Sequence, residues 1–148
     1  MSGYLLDSDV AIELMRGRNL PVVKKLSSTS RQHVFLSTVT ISELLFGAYR
    51  SRDPELSMRL CREFWSSFRI VPLDTAAAEE AGRIRADLKG KGQRIGAYNL
   101  LIAGIALANE QILVTHNTRE FQRIPALPLE DWTEPFVATE IVALPAPV

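Results

Sequence analysis

Asp7 closes the apolar run GYLLD, Glu43 lies inside TISELLFG, and Asn99 stands near the start of YNLLIAGIAL. Thr115, His116, Asn117 and Glu120 crowd into THNTRE directly after QILV. Carboxylates and amides are hard oxygen donors. Carboxylates gathered in one place repel until a proton or a cation neutralises them, and oxygen ligands choose Mg²⁺ or Mn²⁺ over zinc. With one cysteine and two histidines, no Cys/His cluster offers a zinc site. A hard divalent ion held by a few carboxylates keeps several waters and activates one for attack on a phosphodiester. The chain has no Walker loop, Gly-rich dinucleotide fingerprint or nucleophile elbow. Metal-assisted phosphoryl transfer is therefore the chemistry these residues are equipped for.

Each residue also has a plainer use. Asp7 and Asn99 could cap helices, and Asp9 could cap or brace a neighbouring ligand. Glu43 in a first helical turn would be favoured by the helix dipole. Glu120 could pair with Arg119 or Arg123. His116 is a general-base candidate and equally a loop histidine, while His33, at the start of a strand, reads as structural. The convergence of separate segments carries the reading, and convergence needs a scaffold.

That scaffold is legible as alternation. GYLLD, HVFLST, RIVPLD and QILVT read as strands, and REFQRIPALPLEDW as a short turn followed by a last short strand. DVAIELMRG reads as a helix capped by Ser8 or Asp9 and stopped at Gly17, and LPVVKKL as another with Pro21 in its first turn. TISELLFGAYRS aligns Ile41, Leu44, Leu45 and Ala48 on one face. PELSMRLCREFWSSF spaces Leu56, Leu60, Phe64 and Phe68 four apart, and TAAAEEAGRIRADLKG does the same with Ala77, Ala81, Ile84 and Leu88. Asp74 or Thr75 can cap the latter, and Gly90 and Gly92 end it. The helix containing Asn99 is apolar almost all round and must be central. Strands alternating with helices predict an α/β/α sandwich on a mainly parallel sheet. Ligands then collect beyond the carboxyl ends of the strands, where Asp7, Glu43, Asn99, Thr115, Asn117 and Glu120 would all lie.

Composition narrows the class. The 148 residues are 47% hydrophobic and 23% charged, with 17 basic and 17 acidic side chains, which suits one globular domain. Zero net charge argues against holding nucleic acid by bulk charge. Of the 17 basic residues 13 are arginine, the type suited to bidentate phosphate contact. Cys61 is alone, so no internal disulfide forms. The absence of a leader-like start or a bilayer-length apolar run predicts a cytoplasmic protein.

Taken together, YLLDSDVAIELMRG, LSTVTISELLFGAYRS, RIVPLDTAAAEEAGRIRADLKGKGQRIGAYNLLIAGIALA and LVTHNTREFQRIPALPLEDW resemble the PIN-domain ribonucleases. Within them, they resemble the VapC toxins of bacterial toxin–antitoxin pairs. The resemblance runs to Trp132. It implies a PIN-like fold over 1–133, followed by an apolar, proline-rich tail at 134–148 of unassigned role. It implies a Mg²⁺- or Mn²⁺-dependent endoribonuclease that arrests translation by cutting RNA such as tRNA or rRNA. Asp7, Glu43 and position 99 would hold the metal, with Glu120 or Asn117 completing the shell. Thr115 would orient a ligand or a phosphate. Asn117 and Arg94 would meet substrate, and Arg16, Arg18, Lys89 and Lys91 are further phosphate contacts. Partners implied are a VapB-like antitoxin that presents a basic side chain to the acids, and a second copy of the chain, docked partly through the LCREFW helix. With antitoxin, the assembly would be a tetramer or larger.

The chain departs from the family pattern twice. Asn99 stands where an aspartate is expected, and DSD replaces the usual DTN, so Asp9 occupies an asparagine position. An amide keeps an oxygen for a cation but lacks the charge. Weaker metal binding and reduced activity follow, whether the residue is an engineered silencing change, a natural loss, or offset by Asp9. The intact remainder of the motif set favours the first. A catalytically inactive module that binds antitoxin or RNA is the alternative. LLDSDV also echoes the aspartate pair of haloacid-dehalogenase-like phosphatases, but Val10 and Ala11 stand where that family needs Gly-Thr.

Overall fold

The computed structural model of the chain describes residues 2–133; the tail at 134–148 lies outside them. Five strands, β1 (Tyr4–Leu6), β2 (Val34–Ser37), β3 (Arg69–Val71), β4 (Ile112–Val114) and β5 (Leu129–Glu130), form one sheet in the order β3-β2-β1-β4-β5. Every pairing is parallel. The helices are α1 (Ser8–Arg16), α2 (Leu20–Ser27), α3 (Thr38–Tyr49), α4 (Pro54–Trp65), α5 (Thr75–Gly90), α6 (Ala97–Ala108) and the short α7 (Thr118–Phe121). This is the predicted α/β/α sandwich.

Alternation along the strands builds the layers. Leu5, Phe35 and Leu113 pack with Ile84, Leu88, Ile102 and Ile105 of α5 and α6. Their strand neighbours Leu6, Leu36 and Val114 pack with Val10, Ala11, Val22 and Leu26 of α1 and α2, and with Trp132. The stripe of Ala77, Ala81, Ile84 and Leu88 is buried as its spacing predicts, and Asp74 caps α5 by accepting from the Ala77 N–H. α6 is central, with Ile102 to Ala106 all buried. Gly104 lets α5 and α6 approach closely: a methyl group there would sit 2.5 Å from the Ala77 carbonyl oxygen. Backbone cannot yield as a side chain can. Gly104→Ala is expected to lose about 1–3 kcal/mol, read as a lowered denaturant midpoint. Gln111, fully buried before β4, finds no hydrogen-bond partner among the described residues for either side-chain polar atom. Gln111→Met removes those unmet bonds at similar volume and is expected to gain about 1 kcal/mol in the same unfolding experiment.

Several local expectations are corrected. Of the caps the sequence offers α1, Asp7 is the one used, and Ser8 and Asp9 are not: Asp7 Oδ1 accepts from the Ser8 N–H at 2.8 Å. His33 precedes β2 in a 3-10 turn, Arg31–His33, instead of beginning the strand. In α3 the buried residues are Val39, Thr40, Leu44 and Ala48; Ile41 and Leu45 are half-buried. The α4 stripe is helical but faces outward at its start. Leu56 and Leu60 are exposed, Cys61 is the residue α4 buries, and Phe68 is buried beyond the helix end.

Candidate active site

Parallel register decides what stands beside what. Leu6 pairs with Leu36 on one side and with Val114 on the other, so one step further along the chains come Asp7, Ser37 and Thr115. The Asp7 N–H donates to the Val114 carbonyl at 2.9 Å, continuing the ladder. The chain leaves β1 towards β2 on one side and places β4 on the other. Asp7 and Thr115 therefore flank the point where strand order reverses, the usual place for a ligand crevice.

Ser37 starts α3 by accepting from the Thr40 N–H, which sets Thr40 in the first turn and Glu43 in the second. α3 has no acid in its first turn, so the dipole reading of Glu43 falls. Glu43 instead turns back to the sheet edge. The Ser8 hydroxyl donates to Glu43 Oε1 at 2.8 Å and lies 2.9 Å from the Thr40 hydroxyl. Ser8 thus links Glu43 to Asp7, a bridge that sequence reading missed. Its signal was its place directly after the strand-ending acid, where a cap directs the next amide back to the carboxylate.

On the other flank, Thr115 donates to Asp7 Oδ2 at 2.8 Å and accepts from the Asn117 N–H at 3.0 Å. The Asn117 side chain donates to Glu120 Oε2 at 2.8 Å. Glu120 Oε1 accepts from the Gly96 N–H at 2.6 Å and from Asn99 Nδ2 at 3.5 Å. Glu120 therefore serves as the cap that Gly96 cannot be for α6, while Asn99, inside the first turn, is not a cap. A single hydrogen-bonded line runs Glu43, Ser8, Asp7, Thr115, Asn117, Glu120, Asn99.

Asp7 is 3% exposed. Burial pushes its carboxyl up to about 6, against the lowering bonds from Thr115 and Ser8, and the nearby charges of Asp9 and Glu43 push the same way. Burial also works to raise Glu120, but it is outweighed by the bonds from Gly96, Asn117 and Asn99 and by the charge of Arg123, so Glu120 lies below the ordinary range. Both oxygens of Glu120 are engaged by neutral donors, whereas the partners of Asp7 leave its charge uncompensated.

Among the described residues no three His, Cys, Asp or Glu side chains lie together as a metal cage. The acids form a pair, Asp7 with Glu43, while Glu120 sits with Asn99 at the far end of the line. Asp9 is exposed and close enough to act on Asp7 by charge. A buried carboxylate beside two acids, whose hydrogen-bond partners among the described residues are neutral, fits a hard divalent cation, and Mg²⁺ needs only one or two carboxylates because it retains water.

The remaining predicted residues stand outside this line. His116 is exposed and bonded to Asp131 at 3.0 Å. Arg16 borders a hollow of about 790 Å³ that Asp9, His116 and Asn117 also line. Arg94 is exposed, and its carbonyl is held by Arg123. Arg18 and Lys89 are exposed, and Lys91 is paired with Asp87 at 3.1 Å.

A family model described as the PIN domain matches residues 4–127, most of the chain. This chain belongs to the PIN-domain family. Within that family its relatives carry VapC names. The tRNA(fMet)-specific endonuclease VapC of Shigella flexneri is 34% identical over 133 residues, covering 90% of this chain and 100% of that protein. Ribonuclease VapC2 of Haemophilus influenzae is 32% identical, covering 89% and 99%. Among solved structures, DNA-bound VapBC from Salmonella typhimurium superimposes with a TM-score of 0.84 at 33% identity, covering 89% of this chain and 99% of that one. The family assignment places this chain in the VapC group and agrees with the all-parallel sheet.

Proposed function

We propose that the chain is the toxin of a type II toxin–antitoxin pair, a Mg²⁺- or Mn²⁺-dependent endoribonuclease whose activity is reduced by Asn99. The observation that carries this reading is the line from Glu43 to Asn99 across the strand-order reversal, with the buried carboxyl of Asp7 at its centre. Asp7 and Glu43 would hold the cation, with the side-chain oxygen of Asn99 as a neutral third donor and Glu120 ordering Asn99 and the start of α6. The ion would supply charge neutralisation at the phosphodiester and activation of water. Thr115 keeps the Asp7 carboxylate in one orientation, and Asn117 keeps Glu120. Arg16 and Arg94 are exposed cations for neighbouring phosphates. Relatives named for RNA cleavage, one of them for tRNA(fMet), support an RNA substrate, with tRNA or rRNA as its class.

The antitoxin reading has its own support. A mostly apolar groove of about 800 Å³, bordered by Ile12, Leu14, Leu44, Leu60 and Phe64, has Glu43 on its wall. An amphipathic VapB-like segment that ends in a basic side chain would bury its apolar face there and set its charge against Glu43. A second copy of the chain would dock through exposed apolar residues; Phe46, Tyr49, Leu56 and Leu60 are such residues on α3 and α4. Cys61 is buried and Phe64 and Trp65 half-buried, so LCREFW itself offers only Leu60. Among the described residues no helix is long and apolar enough to cross a membrane. A toxin that cuts RNA would act in the cytoplasm.

One observation favours the inactive binding module: the Asn99 amide donates to Glu120, so that end of the line is satisfied without a cation. Cleavage of total RNA with added Mg²⁺, by this protein and by Asn99→Asp, separates the two readings. Cutting by the aspartate form, abolished by EDTA, supports the nuclease. Two inert proteins that still bind antitoxin establish the binding module.

A further inference from the structure

We propose that His116 reads the ribose of the RNA: its ring, fixed by Asp131 and Thr133, presents Nε2 as an acceptor to a 2′-hydroxyl beside the scissile bond. This rests on the nuclease reading above. His116 Nδ1 lies 3.0 Å from Asp131 Oδ2 and 2.6 Å from the Thr133 hydroxyl oxygen. That hydroxyl spends its one proton on Asp131 Oδ1 at 2.5 Å, and the Thr133 N–H donates to the same oxygen at 2.8 Å. Both neighbours of Nδ1 are thus acceptors, and the network assigns the proton to Nδ1. In the neutral ring Nε2 is then an acceptor turned away from Asp131.

The pair is lopsided in a way that suits recognition. Asp131 is nearly buried at 9% side-chain exposure, while His116 stands out at 71%. A buried carboxylate anchors the ring, and its outer edge faces the hollow shared with Asp9, Arg16, Asn19 and Asn117. At about 790 Å³ that hollow is large enough for a nucleotide. It adjoins the candidate centre, because Asn117 binds Glu120 and Asp9 acts on Asp7. Phosphate oxygens are acceptors only and suit Arg16. An imidazole acceptor needs a donor, and the sugar's 2′-hydroxyl is one that RNA has and DNA lacks.

Two substitutions separate ribose reading from a latch on the chain after β5. Asparagine places its amide near Nδ1, so His116→Asn keeps the bond to Asp131 and drops the outer acceptor. Glutamine places an oxygen near Nε2, so His116→Gln keeps an outer acceptor. The readout is fluorescence anisotropy with random-sequence single-stranded RNA and its 2′-deoxy counterpart in EDTA, with thermal melts of each variant. We expect the unsubstituted protein to prefer RNA by about five- to tenfold, one hydrogen bond's worth. His116→Asn should lose that preference with an unchanged melt, and His116→Gln should retain it. Equal preference in the protein and His116→Asn, or loss in both variants, overturns the proposal. In parallel, Asn99→Asp is assayed for Mg²⁺-dependent RNA cleavage. If it cuts while His116→Asn still prefers RNA, only the ribose reading fails. If it neither cuts nor binds RNA, the nuclease reading and this one fall together.

Discussion

Asn99→Asp is expected to raise Mg²⁺-dependent RNA cleavage by about a hundredfold or more and to make the stability of the protein depend on the metal. One added unit charge about 4 Å from a divalent ion is worth on the order of a few kcal/mol at intermediate dielectric, and each 1.4 kcal/mol is a factor of about ten. The second effect comes from Glu120. The Asn99 amide donates to Glu120 Oε1 at 3.5 Å; an aspartate in its place would set two carboxylates across that gap. Without a cation the variant should melt earlier, by an amount on the order of 1–3 kcal/mol. Mg²⁺ should restore it by binding the native state alone, while the Asn99 protein responds far less. Melting curves with Mg²⁺ and with EDTA, beside RNA cleavage under the same conditions, measure both. A folded Asn99→Asp protein that neither cuts RNA nor responds to Mg²⁺ would remove position 99 from the metal site.

The sandwich was legible because alternation and helical stripes are physical periodicities that burial enforces. Ala77, Ala81, Ile84 and Leu88 could face only one way. The stripe of α4 misled because spacing reports that a helix has an apolar face but not what covers it: Leu56 and Leu60 are left outside. Asp7, Glu43 and Asn99 were legible as types at strand and helix ends. Thr115 and Asn117 were legible as well, as polar residues directly after β4; the link from Glu43 to Asp7 was not, since it runs through Ser8, whose hydroxyl is ordinary in sequence and acquires a role only from register. The short strand β5 brings Asp131 beside His116 from 15 residues away, and no periodicity marks that meeting.

Asp7→Asn should abolish RNA cleavage and, in metal-free buffer at about pH 7.5, make the protein more stable by up to about 3 kcal/mol. In the native chain burial pushes Asp7 up to about 6 from its ordinary 3.8. Below the lower value both folded and unfolded chains carry the proton, and the contribution of this group is fully present. As pH rises the unfolded chain ionises first, so stability is lost until the folded carboxyl has ionised as well, above about 6. Asparagine caps α1 as well as aspartate does and has no such loss. Glu120 and Asp131, held below their ordinary values, act in the opposite sense and lose stability as pH falls through those lower values. The difference between native and Asp7→Asn melts, followed from about pH 4 to 8, cancels them and isolates Asp7. Mg²⁺ at neutral pH should then stabilise the native chain and leave Asp7→Asn unmoved, because the same buried charge that strains the metal-free fold is the one a cation would compensate. A pH-independent difference between the two proteins would show that Asp7 is not carrying that strain, and with it would go the physical reason for a metal at this edge of the sheet.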